Sequence, residues 1–128
     1  MEGTSPLRRL LVVDDDYGIR YIVGELLRWM GYEVVLAASG SDALALLPEG
    51  RFDGVLLDLV MPGMSGKEVL HEMRTRGFTM PVIIISGYEG LASDMLREGA
   101  QAFLVKPIDT KRLQDTLRLH LGHPASTE

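Results

Sequence analysis

Short apolar runs alternate with amphipathic stretches along this chain. Leu10-Leu11-Val12-Val13, Val34-Val35-Leu36, Val55-Leu56-Leu57, Val82-Ile83-Ile84-Ile85 and Phe103-Leu104-Val105 are the runs. Continuous rather than alternating apolar runs predict strands covered on both faces. The run 82–85 is the clearest, because all its residues are β-branched. Between the runs the spacing turns helical. Ile19, Ile22, Val23, Leu26, Leu27 and Met30 mark one helical face, and Gly31 stops it. Ser41 is expected to cap a second helix carrying Ala43, Leu44, Leu46 and Leu47, ended by Pro48. Val69, Leu70 and Met73 mark a third helix. Leu91, Ala92, Met95 and Leu96 mark a fourth, closed at Gly99. The last is expected from about Thr110 to Leu121, with Leu113, Leu117 and Leu121 on one face.

Strand then helix, five times over, predicts an α/β fold: a single doubly wound domain with a five-stranded parallel sheet. The 128 residues leave room for one domain. The domain is expected over 7–121, with 1–6 a flexible leader and 122–128 a flexible tail. The second strand ends in Ala37-Ala38-Ser39, which bears no chemistry and predicts an edge position.

Composition removes several classes of function. There is no cysteine, so disulfides, thiolate metal sites and cysteine catalysis are excluded. Net charge is −5, which argues against a nucleic-acid binder that works through the phosphate backbone. No apolar run reaches the roughly 18 residues needed to span a bilayer. Arg8-Arg9 precedes only four apolar residues before the acids, so it is not an export signal. Together these predict a cytoplasmic domain with neither membrane nor nucleic acid as partner.

The chemistry gathers where strands end. In open parallel sheets, ligands bind beyond the carboxyl ends of the strands. Strand one ends in Asp14-Asp15-Asp16, strand three in Asp58, strand four in Ser86-Gly87 and strand five in Lys106-Pro107. Clustered carboxylates repel, and a hard divalent cation such as Mg²⁺ relieves that repulsion. A carboxylate can also accept a phosphoryl group as an acyl phosphate. Lys106 would neutralise the incoming charge and Ser86 would donate to a phosphoryl oxygen. The rim therefore has the parts for phosphoryl transfer onto Asp58. Asp16 is expected to be the helix N-cap. His71, His120 and His123 share no ligand spacing and read as surface residues.

Leu11-Val12-Val13-Asp14-Asp15-Asp16, Asp58-Leu59-Val60-Met61-Pro62-Gly63, Ile84-Ile85-Ser86-Gly87 and Phe103-Leu104-Val105-Lys106-Pro107 resemble the CheY-like receiver domain of two-component response regulators. The similarity extends from about Leu7 to Leu121. It implies a flavodoxin-like (βα)5 sheet in the order 2-1-3-4-5. It implies that Asp58 is the phosphoacceptor, that Asp15 binds Mg²⁺ directly and that Asp14 acts through water. Val60 would lend its backbone carbonyl to the metal. Phe103 would be the aromatic switch residue paired with Ser86, and Lys106-Pro107 a cis peptide. Val60 and Tyr88 would border the path of attacking water and so set the lifetime of the phosphoryl group. The donor would be a sensor histidine kinase or a histidine phosphotransfer protein. The output face would be the fourth helix, fifth strand and fifth helix, usable for a homodimer. Such a domain catalyses only its own phosphorylation and dephosphorylation, and is a switch rather than an enzyme.

Other classes compete. An aspartyl-nucleophile phosphatase would need a second acid two residues after the nucleophile, where this chain has Val60. A flavin module would meet three aspartates where its phosphate should sit. A receiver that works without phosphorylation would lack key positions, and none of the five is missing. Serine stands at 86 where threonine is common in the family, which keeps the hydroxyl.

Overall fold

The structure, a computed structural model, describes residues 7–125. Strands β1 (Arg9–Val13), β2 (Glu33–Ala37), β3 (Gly54–Asp58), β4 (Val82–Ser86) and β5 (Ala102–Val105) alternate with five helices. These are α1 (Tyr17–Trp29), α2 (Gly40–Gly50), α3 (Gly66–Thr75), α4 (Ala92–Arg97) and α5 (Thr110–Leu121). A 3₁₀ turn, Glu89–Leu91, leads into α4. The sheet order is β2-β1-β3-β4-β5, with every pair parallel. β2 is an edge strand, as its sequence predicts.

Successive strand residues face opposite sides of the sheet, which splits the core in two. Leu11, Val13, Val55, Leu57, Val82 and Ile84 pack with Leu44, Leu47, Leu70, Met73 and Met95 from α2, α3 and α4. Leu10, Val12, Leu56, Ile83, Ile85 and Leu104 pack with Val23, Leu27, Leu113, Leu117 and Leu121 from α1 and α5. Both faces of β3 and β4 are buried throughout, which is why their sequences run apolar without alternation. Their last residues, Asp58 and Ser86, are therefore held on strands buried along their whole length.

Four local expectations are corrected. Ser39, not Ser41, caps α2: its hydroxyl accepts from the Asp42 N–H at 3.1 Å. Pro48 lies inside α2 rather than ending it. It sits exposed in the last turn, where its missing N–H removes one helical bond without breaking the helix. The α1 stripe is narrower than its spacing suggests, since Ile22 is 64% exposed while Val23 and Leu27 are buried. Leu96 on α4 is likewise exposed.

Residues 122–125 are not a free tail. The Arg8 N–H donates to the Pro124 carbonyl at 2.7 Å, and Leu7 bridges Ala125. Pro124 is buried beside Gly31, whose φ of 105° only glycine adopts readily. The expected flexible segments 1–6 and 126–128 lie outside the described residues. His71 and His123 are exposed as expected, whereas His120 is half-buried. Among the described residues no helix is long and apolar enough to cross a membrane.

Candidate functional site

Parallel pairing brings the ends of β1, β3, β4 and β5 to one rim. Asp14 follows β1, and its N–H donates to the Ala37 carbonyl of β2 at 3.2 Å. Asp58 is the last residue of β3 and pairs in register with Ile85. Asp14 and Asp58 are both buried, and Asp15 is exposed. Each of the three offers an oxygen, and these oxygens lie within 4.8 Å of one another. Lys106, just after β5, places its Nζ 3.2 Å from Asp58 Oδ1 and 3.8 Å from Asp14 Oδ2. The Lys106 N–H donates to the Ser86 carbonyl at 2.8 Å, and the Lys106-Pro107 bond is cis.

The electrostatics follow from this crowding. Burial pushes the Asp58 carboxyl above the ordinary carboxylate range, and Asp14 pushes it further. Lys106 pulls it down by charge and hydrogen bond, and Asp15 adds a smaller upward push. Three carboxylates, two of them buried, face one ammonium and leave an excess of negative charge. All the donors are hard oxygens. The donor set fits a divalent cation such as Mg²⁺.

Local structure fixes several of these groups. Asp16 caps α1: its Oδ1 accepts from the Ile19 N–H at 3.0 Å. The Asp16 N–H in turn donates to Asp14 Oδ1 at 2.9 Å. The loop after β3 folds back so that the Gly66 N–H donates to the Leu59 carbonyl at 2.9 Å. A side chain on Gly66 would put its Cβ 2.4 Å from the Asp58 carbonyl oxygen. Ser86 is buried, and its hydroxyl oxygen accepts from the Tyr88 N–H at 3.0 Å. Among the described residues no acceptor takes its own proton, which is left to donate.

Asp14, Asp15, Asp58 and Lys106 thus converge, with Ser86 on the neighbouring strand end. Val60 and Tyr88 stand on the rim, 71% and 64% exposed. Phe103 is half-buried against the α2–α3–α4 core layer. Beside Lys106 an apolar groove of about 610 Å³ runs between Ile19, Ile22, Val23, Leu26, Pro107 and Ile108.

Four residues that shape the site carry no mark in the motifs above. Ser65 and Glu68 form a capping box at the start of α3, and the Ser-Gly-Lys-Glu spacing carries that signature. Gly66 could be suspected only from its Pro-Gly-rich surroundings. Arg20 donates from Nη1 to the Asp14 carbonyl at 2.8 Å, a contact without a sequence signature.

Comparison with known proteins gives a consistent family. The sequence model of the response regulator receiver domain matches residues 10–118. The transcriptional regulatory protein ZraR of Salmonella typhimurium is 42% identical over 120 residues, covering 92% of this chain and 27% of that protein. The chain thus spans about a quarter of the length of that regulator. The sporulation initiation phosphotransferase F of Bacillus subtilis is 38% identical over 117 residues, covering 88% of this chain and 93% of its own. Among solved structures, the response regulator TrrA of Thermotoga maritima, in complex with Mg²⁺ and BeF, is 35% identical. It superposes with a TM-score of 0.84 over 90% of this chain and 100% of that one. Vibrio cholerae CheY4, a chemotaxis protein, is 33% identical with the same TM-score, covering 90% and 99%.

Proposed function

The chain belongs to the response regulator receiver domain family, and on that premise we propose that Asp58 accepts a phosphoryl group from the histidine of a sensor kinase or phosphotransfer protein. A carboxylate oxygen of Asp58 attacks phosphorus. The phosphorus–nitrogen bond to the donor imidazole breaks, and its electron pair stays on that nitrogen. Asp14, Asp15, Asp58 and the Val60 carbonyl would hold Mg²⁺. When bound, the metal neutralises charge on the phosphoryl oxygens. Lys106 pairs with a phosphoryl oxygen and Ser86 donates its free proton to another. The single observation that carries this reading is three acid oxygens within 4.8 Å, with an ammonium 3.2 Å from the buried Asp58.

The donor must bring a histidine to this rim, and the apolar groove beside Lys106 suits its helices. Output follows from the phosphoryl group drawing Ser86 and the segment 87–90 inward, with Phe103 turning into the vacated space. Leu96 and Leu119, 47% and 79% exposed, lie on α4 and α5 and support that face as a contact surface. A homodimer across it would form in response to beryllofluoride, measured by light scattering. We read the domain as cytoplasmic and as a switch that transforms no outside substrate. Its net charge of −5 supports no contact with nucleic acid by this segment.

The test is incubation with acetyl phosphate and Mg²⁺, followed by intact mass. One phosphate adduct is expected, lost without Mg²⁺ and lost in Asp58→Ala. An adduct that survives Asp58→Ala unchanged overturns the assignment.

A further inference from the structure

The Asp15 carboxylate is exposed, and no hydrogen bond holds it among the described residues. Asp14 is fixed by its burial, by the Asp16 N–H on Oδ1 and by Lys106 facing Oδ2. Something else must aim Asp15. Its direction depends on the peptide that joins it to Asp14, because that plane places the Asp15 N and Cα, about which its side chain then leaves the chain. The carbonyl of this peptide is the Asp14 carbonyl, and it accepts from Arg20 Nη1 at 2.8 Å.

Arg20 is itself held. Its backbone N–H donates to the Asp16 carbonyl at 2.9 Å in the first turn of α1. Its guanidinium lies 5.5 Å from the centre of the Tyr17 ring, stacked as a cation over an aromatic face. Tyr17 in turn stacks on Tyr21, with centroids 6.3 Å apart and planes 20° apart. The first turns of α1 therefore present a braced guanidinium to the back of the acidic loop.

We propose that Arg20 is a positioning residue that clamps the Asp14–Asp15 peptide and so preorganises Asp15 for a divalent cation. The proposal rests on the reading of the acids as a Mg²⁺ site. It has a built-in contrast of sign. By charge alone, a guanidinium near three carboxylates repels a cation, so removing it would tighten Mg²⁺ binding. By positioning, removing it loosens Asp15 and weakens binding. Groups that orient metal ligands from behind are worth about tenfold or more in affinity.

The experiment is calorimetric titration of the whole chain with MgCl₂ alone, for wild type, Arg20→Met and Arg20→Lys. Thermal unfolding is measured in parallel in EDTA and in MgCl₂. Arg20→Met should weaken Mg²⁺ binding by about tenfold. Arg20→Lys, which keeps the charge and one donor, should fall between. The rise in Tm that MgCl₂ gives should shrink in Arg20→Met, whereas a merely structural role would lower Tm equally with and without metal. Tyr17→Leu, which removes the brace and leaves the donor, should weaken binding by a smaller factor. Arg20→Met binding as tightly as wild type, or tighter, overturns the proposal. If Arg20→Met does not fold, Arg20→Lys and Tyr17→Leu both binding like wild type overturn it. A wild-type chain that takes up no Mg²⁺ overturns the site reading itself, a result distinct from either.

Discussion

Replacing Asp58 by Asn should make the protein more stable near neutral pH, although it removes a charged partner of Lys106. The pair energies decide little. At an effective dielectric near 20, charges 3.2 Å apart, like Asp58 and Lys106, attract by about 5 kcal/mol. Charges 4.8 Å apart, the outer limit for Asp58 and Asp14, repel by about 3.5 kcal/mol. Asp15 is exposed, so water screens its repulsion to about 1 kcal/mol or less. These terms cancel to within about 1 kcal/mol, and the dehydration of a carboxylate that is only 6% exposed sets the sign. Lys106 is not orphaned, because Asp14 remains 3.8 Å away. The expected gain is about 1–3 kcal/mol, or roughly 3–10 °C in Tm for a domain of this size. The pH dependence tests the cause. Burial holds the Asp58 carboxyl above its unfolded range, so its cost is fully present above the folded pKa. That cost fades as pH falls towards the unfolded value near about 3.9. Urea unfolding in EDTA at about pH 7.5, 5.5 and 4 should show the advantage of Asp58→Asn shrinking towards zero. An Asn variant less stable at neutral pH, or a gain that stays constant down to acid, would refute the reasoning.

Three further variants probe the site and the scaffold around it. Gly66→Ala forces a Cβ to 2.4 Å from the Asp58 carbonyl oxygen and 2.8 Å from Leu59 Cα; it should destabilise by about 2–3 kcal/mol in urea unfolding, and wild-type stability would refute the close approach. Arg74 donates to the Phe78 and Gly99 carbonyls at 2.8 Å and to Gln101 Oε1 at 3.0 Å. Arg74→Met should therefore lose about 2–4 kcal/mol, with a loss under about 0.5 kcal/mol counting against that role. Val60 and Tyr88 line the exposed rim without a polar pair to orient water. Val60→Asn with Tyr88→Glu should shorten the lifetime of phosphorylated Asp58, followed by intact mass after acetyl phosphate is removed; an unchanged or longer lifetime contradicts it.

The fold was legible because burial of both sheet faces leaves its mark as unbroken apolar runs. The site was legible because Asp14, Asp58, Ser86 and Lys106 each stand one step from the end of such a run. What escaped depends on choices that spacing does not encode. Ser39 and Ser41 offer equal caps to α2, and only the extended backbone at Ser39, φ −156° and ψ 165°, selects between them. Ile22 matches the helical stripe, but a helix of 3.6 residues per turn carries part of a wide stripe past the edge of the sheet. Pro124 falls in a stretch that reads as a flexible tail, yet it finds the gap beside Gly31. Arg20 acts on a backbone carbonyl, and a backbone acceptor has no residue identity to read.

The same structure argues for where a phosphoryl signal can act. The helices α1, α3 and α5 each begin with a side-chain cap, from Asp16, Ser65 and Asp109. The helix α4 begins at Leu91 with none, spans only Ala92–Arg97, and is entered through a 3₁₀ turn. A missing cap is worth about 1 kcal/mol, and an element this short makes few bonds of its own, so its opening should lie at the low end of local stabilities. Its far end is pinned by Arg74 on the Gly99 carbonyl, which leaves a swing at the near end as the cheapest motion. That near end is tied to the site, since the Tyr88 N–H rides on the Ser86 hydroxyl oxygen. On the reading of Ser86 as a hydrogen-bond donor to the phosphoryl group, its bond to a charged oxygen contributes about 1.5–3 kcal/mol. That is a population shift of roughly tenfold to a little over a hundredfold, enough to bring a starting bias of about 1:10 to parity at the lower end and to reverse it at the upper. The same contact could not move α3, whose capping box and close packing against Asp58 would first have to be broken. On that reading the switch would belong to α4 and the segment 87–90, with Asp14, Asp58 and α3 as the floor against which it turns.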